Sequence, residues 1–132
     1  MNPSLLQKIA QLGLSARSRQ QAPAGLELPF PKGRRWVPLS AILMLEGTSN
    51  YTLLHFRDGS QLLVAITLKA LADRLPAGSF ARPHRKYMFN WQYIKAVHRP
   101  ENEVVLAGGI RLPIARRRLT EFINEYRGHL HA

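Results

Sequence analysis

The dipeptide Asp58-Gly59 stands between two apolar runs, Tyr51–Phe56 and Gln61–Ile66. Asp-Gly in that position is the strongest short hairpin signal, because the turn needs residues that tolerate positive φ. Ala107-Gly108-Gly109 repeats the signal between Glu103–Leu106 and Ile110–Ile114, predicting a second hairpin. Ala41–Glu46 is a continuous apolar run and predicts a strand buried on both faces. Tyr87–Phe89 and Ile94–His98 predict short strands around a turn at Asn90-Trp91. Two stretches carry helical spacing instead. Thr67 suits an N-cap ahead of Leu68, Leu71, Ala72 and Leu75, with Pro76 and Gly78 as stops. Leu119, Phe122, Ile123 and Tyr126 share a helical face, and Gly128 is expected to close that helix.

With 132 residues, the chain suits one domain plus a short extension. Three regions separate by composition. In residues 1–16, Leu5, Leu6, Ile9, Leu12 and Leu14 recur at helical spacing, predicting an amphipathic N-terminal helix. So short a helix is marginal alone and must pack on something. It either caps the domain or serves dimerisation or partner docking. Residues 17–35 hold Gln20, Gln21, Pro23, Gly25, Pro29, Pro31 and Gly33, the composition of an extended, mobile linker. Residues 36–132 are the strand-rich domain.

Hydrophobic residues make up 45% of the chain, enough for a real core. Nineteen Lys and Arg face 8 Asp and Glu, a formal net charge of +11. On a domain this small, that excess attracts a polyanion, with nucleic acid ahead of an anionic membrane surface. The absence of cysteine excludes disulfides, thiolate zinc sites and a cysteine nucleophile, and fits a reducing cytoplasm. No apolar run approaches the roughly 20 residues that span a bilayer, and Met1–Leu14 lacks a cleavable signal layout. A soluble cytoplasmic protein without membrane insertion is expected.

An enzyme needs convergent reactive groups, and none of the nucleotide-binding, zinc-protease or nucleophile-elbow motifs occurs. Of the five histidines only His129 and His131 sit close together, at a terminus where solvent exposure is the ordinary outcome. Glu101 and Glu103 flank Asn102 at a turn, a solvated position more often than an acid/base pair. No catalysis, cofactor or metal is expected.

The placement of the cations says more than their number. Arg82, Arg85, Lys86, Lys95 and Arg99 follow one another with no acid between them. Arg116, Arg117 and Arg118 start the last predicted helix, and Arg34 and Arg35 precede the first predicted strand. Cations at a helix start oppose the macrodipole at a few tenths of a kcal/mol each. A phosphate bound there reverses that sign. Loops at one end of a sandwich can merge such clusters into one surface able to hold phosphates and read guanine edges.

Several segments together resemble the LytTR domain of LytR/AlgR-type bacterial response regulators. Leu45-Glu46-Gly47-Thr48-Ser49-Asn50-Tyr51 is similar to its opening strand and polar loop. The Asp58-Gly59 hairpin and the Thr67–Leu71 helix start follow in order. Phe80–Asn90, with His84-Arg85, is close to the family's most specific segment, and Gly109–Arg117, with Leu112-Pro113, resembles its closing one. The resemblance runs from about Trp36 to Tyr126. Lys86 and Ala115 stand where the family commonly has Ser, and the second change removes a natural N-cap.

The resemblance implies a mainly β fold: a sandwich of short antiparallel strands with small flanking helices, here with the N-terminal helix added. It implies loops entering neighbouring major grooves of double-stranded DNA at imperfect direct repeats, in a response-regulator-like, two-component setting. Carried over, the DNA contacts are Ser49, Asn50, Arg85, Lys86, Arg116 and Arg117, with Arg118, Arg34 and Arg35 as further phosphate contacts. His84 and Asn90 are expected to be structural. The family's usual receiver has no counterpart, since residues 1–35 hold no Asp. The chain is then either a fragment or a stand-alone regulator. A homodimer on DNA and a protein partner at the N-terminal helix are further expectations. Two readings compete with sequence-specific DNA binding: a regulatory protein-interaction module docking through that helix, and a general nucleic-acid-binding protein.

Overall fold

A computed structural model describes residues 24–130; the N-terminal helix expected over 1–16 and His131 lie outside the described residues. The Asp58-Gly59 turn joins β4 (Tyr51–Phe56) to β5 (Gln61–Val64), as its residue types require. Asp58 Oδ1 accepts the Ser60 backbone N–H at 2.9 Å and the Ser60 hydroxyl at 2.6 Å, and Gly59 takes φ 92°. Together with β3 (Ile42–Thr48), β6 (Phe80–His84) and β7 (Tyr87–Asn90), these strands form a five-stranded sheet in the order β5-β4-β3-β7-β6.

The central strand β3 is buried over Ile42–Leu45, and it packs on both sides. A register shift between Ile42 and Met44 makes Leu43 an extra residue in the ladder with β4. That bulge lets the successive residues Leu43 and Met44 enter one core while Ile42 and Leu45 enter the other. The first core joins Ile42, Leu45 and Leu54 to Leu26, Leu28 and Leu71. The second joins Leu43, Met44 and Phe89 to Val104, Leu106 and Phe122.

The first core is closed by α1 (Leu68–Arg74), capped as expected by the Thr67 hydroxyl, which accepts the Ala70 N–H at 3.1 Å. It is also closed by a hairpin absent from the sequence reading: β1 (Gly25–Phe30) pairs antiparallel with β2 (Gly33–Pro38). The stretch expected to be a linker therefore folds over residues 25–35. Leu26, Leu28 and Val37 are buried on its inner face, and Gly33 takes φ 116° at the turn. Pro29 is tolerated because a two-stranded sheet leaves one edge of each strand unpaired.

The second core is closed by a three-stranded sheet, β10-β9-β8, made of β8 (Ile94–His98), β9 (Glu103–Leu106) and β10 (Arg111–Pro113). The final helix α2 (Leu119–Leu130) lies on the same side. It runs through Gly128, which was expected to end it. Phe122 stacks on Trp91 with centroids 5.6 Å apart and planes 8° apart, and His129 stacks on the same indole at 4.0 Å. His129 is thus exposed but not unattached. The architecture is mainly antiparallel β in layers, with small helices at the flanks, as the resemblance implied. No helix among the described residues is long and apolar enough to cross a membrane.

Candidate nucleic-acid interface

Three short segments meet at one end of the central sheet. The first is the β3–β4 turn, where Ser49 takes φ 51° beside Asn50. The second is the β6–β7 turn at Arg85 and Lys86. The two turns are adjacent because β3 pairs with β7, Glu46 opposite Tyr87, and the Gly47 N–H donates to the Lys86 carbonyl at 2.8 Å. The third is a 3₁₀ turn, Arg116–Arg118, immediately before α2. Main-chain contact places it: the Ala115 N–H donates to the Pro83 carbonyl at 2.8 Å, and an Arg118 guanidinium N–H donates to the Arg82 carbonyl at 3.2 Å.

Ser49, Asn50, Arg85, Lys86, Arg116 and Arg117 are all exposed there, and Arg118 is partly covered. Between the first two turns and the start of α1 runs a cleft lined in part by Ser49, Thr67, Lys69, Arg82, Arg85 and Lys86, with no acidic residue in its wall. None of these cations, nor Arg116–Arg118, takes part in an ion pair among the described residues. Unneutralised cations held this close repel one another and favour an anion between them.

Two groups feel both burial and these neighbouring charges. Arg82 donates to the Arg85 carbonyl at 2.8 Å, while its buried Nε finds no partner; burial, then the neighbouring Arg118, lowers its pKa. His84 Nδ1 accepts the Lys86 backbone N–H at 3.1 Å, which fixes its unprotonated nitrogen. Burial first, and then Arg85, Arg118 and Lys86, push the His84 pKa below the ordinary imidazole value.

Asn90 has the structural role expected of it. Its amide donates to the Leu39 and Ile42 carbonyls, both at 3.0 Å, and its oxygen accepts the Gln92 N–H at 3.0 Å. Lys69 had escaped the sequence reading. It sits in the first turn of α1, and only the packing of α1 against β3 brings it to the cleft.

Arg34 and Arg35 stand apart from this face. Both lie on β2: Arg34 pairs with Glu27 at 2.8 Å, and Arg35 lies over the Phe30 ring at 4.6 Å. Arg35 shares a cavity with Ala41 and Phe56, at the start of β3 and the end of β4. That is the far end of the β3–β4 hairpin from Ser49, roughly 20 Å along the strand at 3.3–3.4 Å per residue.

Cations carried mainly on turns of a small β scaffold make a surface of the class that fits a polyanion such as nucleic acid. The model of the LytTr DNA-binding domain matches residues 32–126, and the chain belongs to that family. Membership carries DNA binding in transcription regulation. Among solved structures, the fold is similar to one described as the LytTr DNA-binding domain of a methyl-accepting/DNA response regulator from Bacillus cereus. The TM-score is 0.67 and the identity 23%, over 78% of this chain and 96% of that one. No curated protein matches the chain significantly.

Proposed function

We propose that the chain is a sequence-specific transcription regulator that grips double-stranded DNA through the three convergent turns. The observation that carries this reading is the joining of those turns by backbone hydrogen bonds into one face without an acid in its cleft. Exposed Arg85 and Arg116 read guanine edges in the major groove, each contributing about 1–3 kcal/mol of discrimination when bidentate. Ser49 and Asn50 add hydrogen bonds from the neighbouring turn. Lys69, Lys86, Arg117 and Arg118 hold phosphates.

Imperfect direct repeats occupied by two copies in the bacterial cytoplasm are the expected targets, as the resemblance to the LytTR family implies. Selection from random duplexes, followed by titration at several salt concentrations, tests the reading. A recurring repeat bound at least about 10³-fold tighter than a scrambled duplex supports it. Uniform binding that fades with salt supports a general polyanion grip instead.

A further inference from the structure

The second basic locus has a different character from the first. An open cavity of about 690 Å³ lies between the β1–β2 hairpin and the β4–β5 turn. Such a volume suits a small molecule. Phe30, Val37, Ala41 and Phe56 give it apolar wall, and Arg35 and Arg57 are its two basic residues.

Each guanidinium is held over an aromatic ring, Arg35 over Phe30 at 4.6 Å and Arg57 over Tyr93 at 5.4 Å. Stacking fixes the plane of the fork and leaves its N–H edges to donate. One acid, Asp58, also lines the cavity. The Ser60 N–H and hydroxyl donate to its Oδ1 without removing its charge, so an anionic group must sit on the arginine side. Glu27 is bound by Arg34. Neither Arg35 nor Arg57 forms an ion pair among the described residues. The floor is rigid as well: the Arg57 N–H donates to the Ala41 carbonyl at 2.8 Å, and the Tyr93 hydroxyl donates to the Ser40 carbonyl.

We propose that this cavity is a binding site for a small aromatic carboxylate, with the flat body against Phe30 and Phe56 and the carboxylate between Arg35 and Arg57. A guanidinium fork matches a carboxylate bidentately, and the apolar wall favours a ring over a bare ion. DNA phosphate suits the locus less well, because it offers no flat apolar body to these walls. The site lies at the opposite end of the β3–β4 hairpin from the DNA face, so it stands or falls apart from the proposed function.

The test is an NMR titration of the full chain that follows the Arg35 and Arg57 side-chain Nε–H signals. Benzoate, benzyl alcohol, inorganic phosphate and a short duplex DNA are the probes. Saturable benzoate shifts are expected, with benzyl alcohol and phosphate each at least about tenfold weaker, as loss of either half of the recognition requires. Arg35→Gln and Arg57→Gln are each expected to weaken benzoate about tenfold, while Arg85→Ala leaves it unchanged. Arg57→Lys keeps the charge and loses the fork; it is expected to fold normally and bind with intermediate strength. Failure of benzoate to saturate overturns the proposal. So does phosphate binding as well as benzoate, unchanged affinity in folded Arg35 and Arg57 variants, or duplex DNA moving these signals when benzoate does not.

Discussion

The backbone N–H of Gly47 donates to the carbonyl of Lys86 at 2.8 Å, tying the turn that carries Ser49 to the turn that carries Arg85. A Cβ on Gly47 would stand 3.1 Å from Leu68 Cβ and 3.2 Å from its Cδ2, so the start of α1 must give way to admit one. Gly47→Ala is therefore expected to fold with a modest stability loss, about 1–3 kcal/mol for overpacking. It is also expected to weaken specific DNA binding several-fold. Melting temperature and fluorescence anisotropy on one preparation separate the two effects. Unchanged affinity would argue against a shared surface.

The cations proposed to read bases and those proposed to hold phosphates are separable by salt. Arg85→Ala and Arg116→Ala are expected to lose about 1–3 kcal/mol on the selected site and little on a scrambled one. Lys86→Ala and Arg117→Ala are expected to weaken both duplexes alike, each lowering the log–log salt slope by about 0.9. Arg34→Ala is expected to change neither, because that guanidinium is spent on Glu27. Binding isotherms at four salt concentrations decide among these outcomes.

His84 is expected to make the domain sensitive to acid. Its folded pKa lies below the unfolded value of about 6.5. The unfolded chain thus binds the proton more readily, and this contribution to stability is present above that value and lost as pH falls below it. Phosphates beside Arg85, Lys86 and Arg118 offset the cations that depress it, so bound DNA is expected to raise the His84 pKa. The imidazole Cε1–H shift, followed through a pH titration with and without duplex, measures both. A midpoint that DNA leaves unmoved would remove His84 from the contact region.

Asn90 closes three backbone groups at once, two carbonyls and one N–H, in a buried position. Asn90→Ala strands all three and is expected to cost about 2–4 kcal/mol, a few buried hydrogen bonds at roughly 1 kcal/mol each plus desolvation. Asn90→Asp is expected to be worse, since a carboxylate cannot donate to Leu39 and Ile42. Urea unfolding curves with unchanged m-values check this.

Local chemistry was legible in the sequence wherever a few adjacent residues dictated the outcome. Asp58-Gly59 and Thr67 did so, and Tyr51–Phe56 forms a strand over the range expected. The β1–β2 hairpin was hidden because Pro29, Pro31 and Gly33 carry linker chemistry, while its inward signal is only Leu26, Leu28 and Val37. Gly128 carries the residue type of a helix stop, yet α2 continues to Leu130, with His129 stacked on Trp91 one residue beyond the glycine. The cationic face was legible in its parts and not in its assembly. Their place just before the first expected strand suggested that Arg34 and Arg35 join it at one end of the sandwich, whereas pairing of β3 with β7, and of Ala115 with Pro83, sets which turns come together.

The segment bearing Arg116 and Arg117 is located by main-chain contact at Ala115 and by the lone side chain of Arg118. The side chains at 85, 116 and 117 are exposed and hold no part of the core. Such a scaffold lets its target change while its shape stays put. On the proposed reading, a lineage can exchange these few residues to address new DNA sites without first repairing the fold.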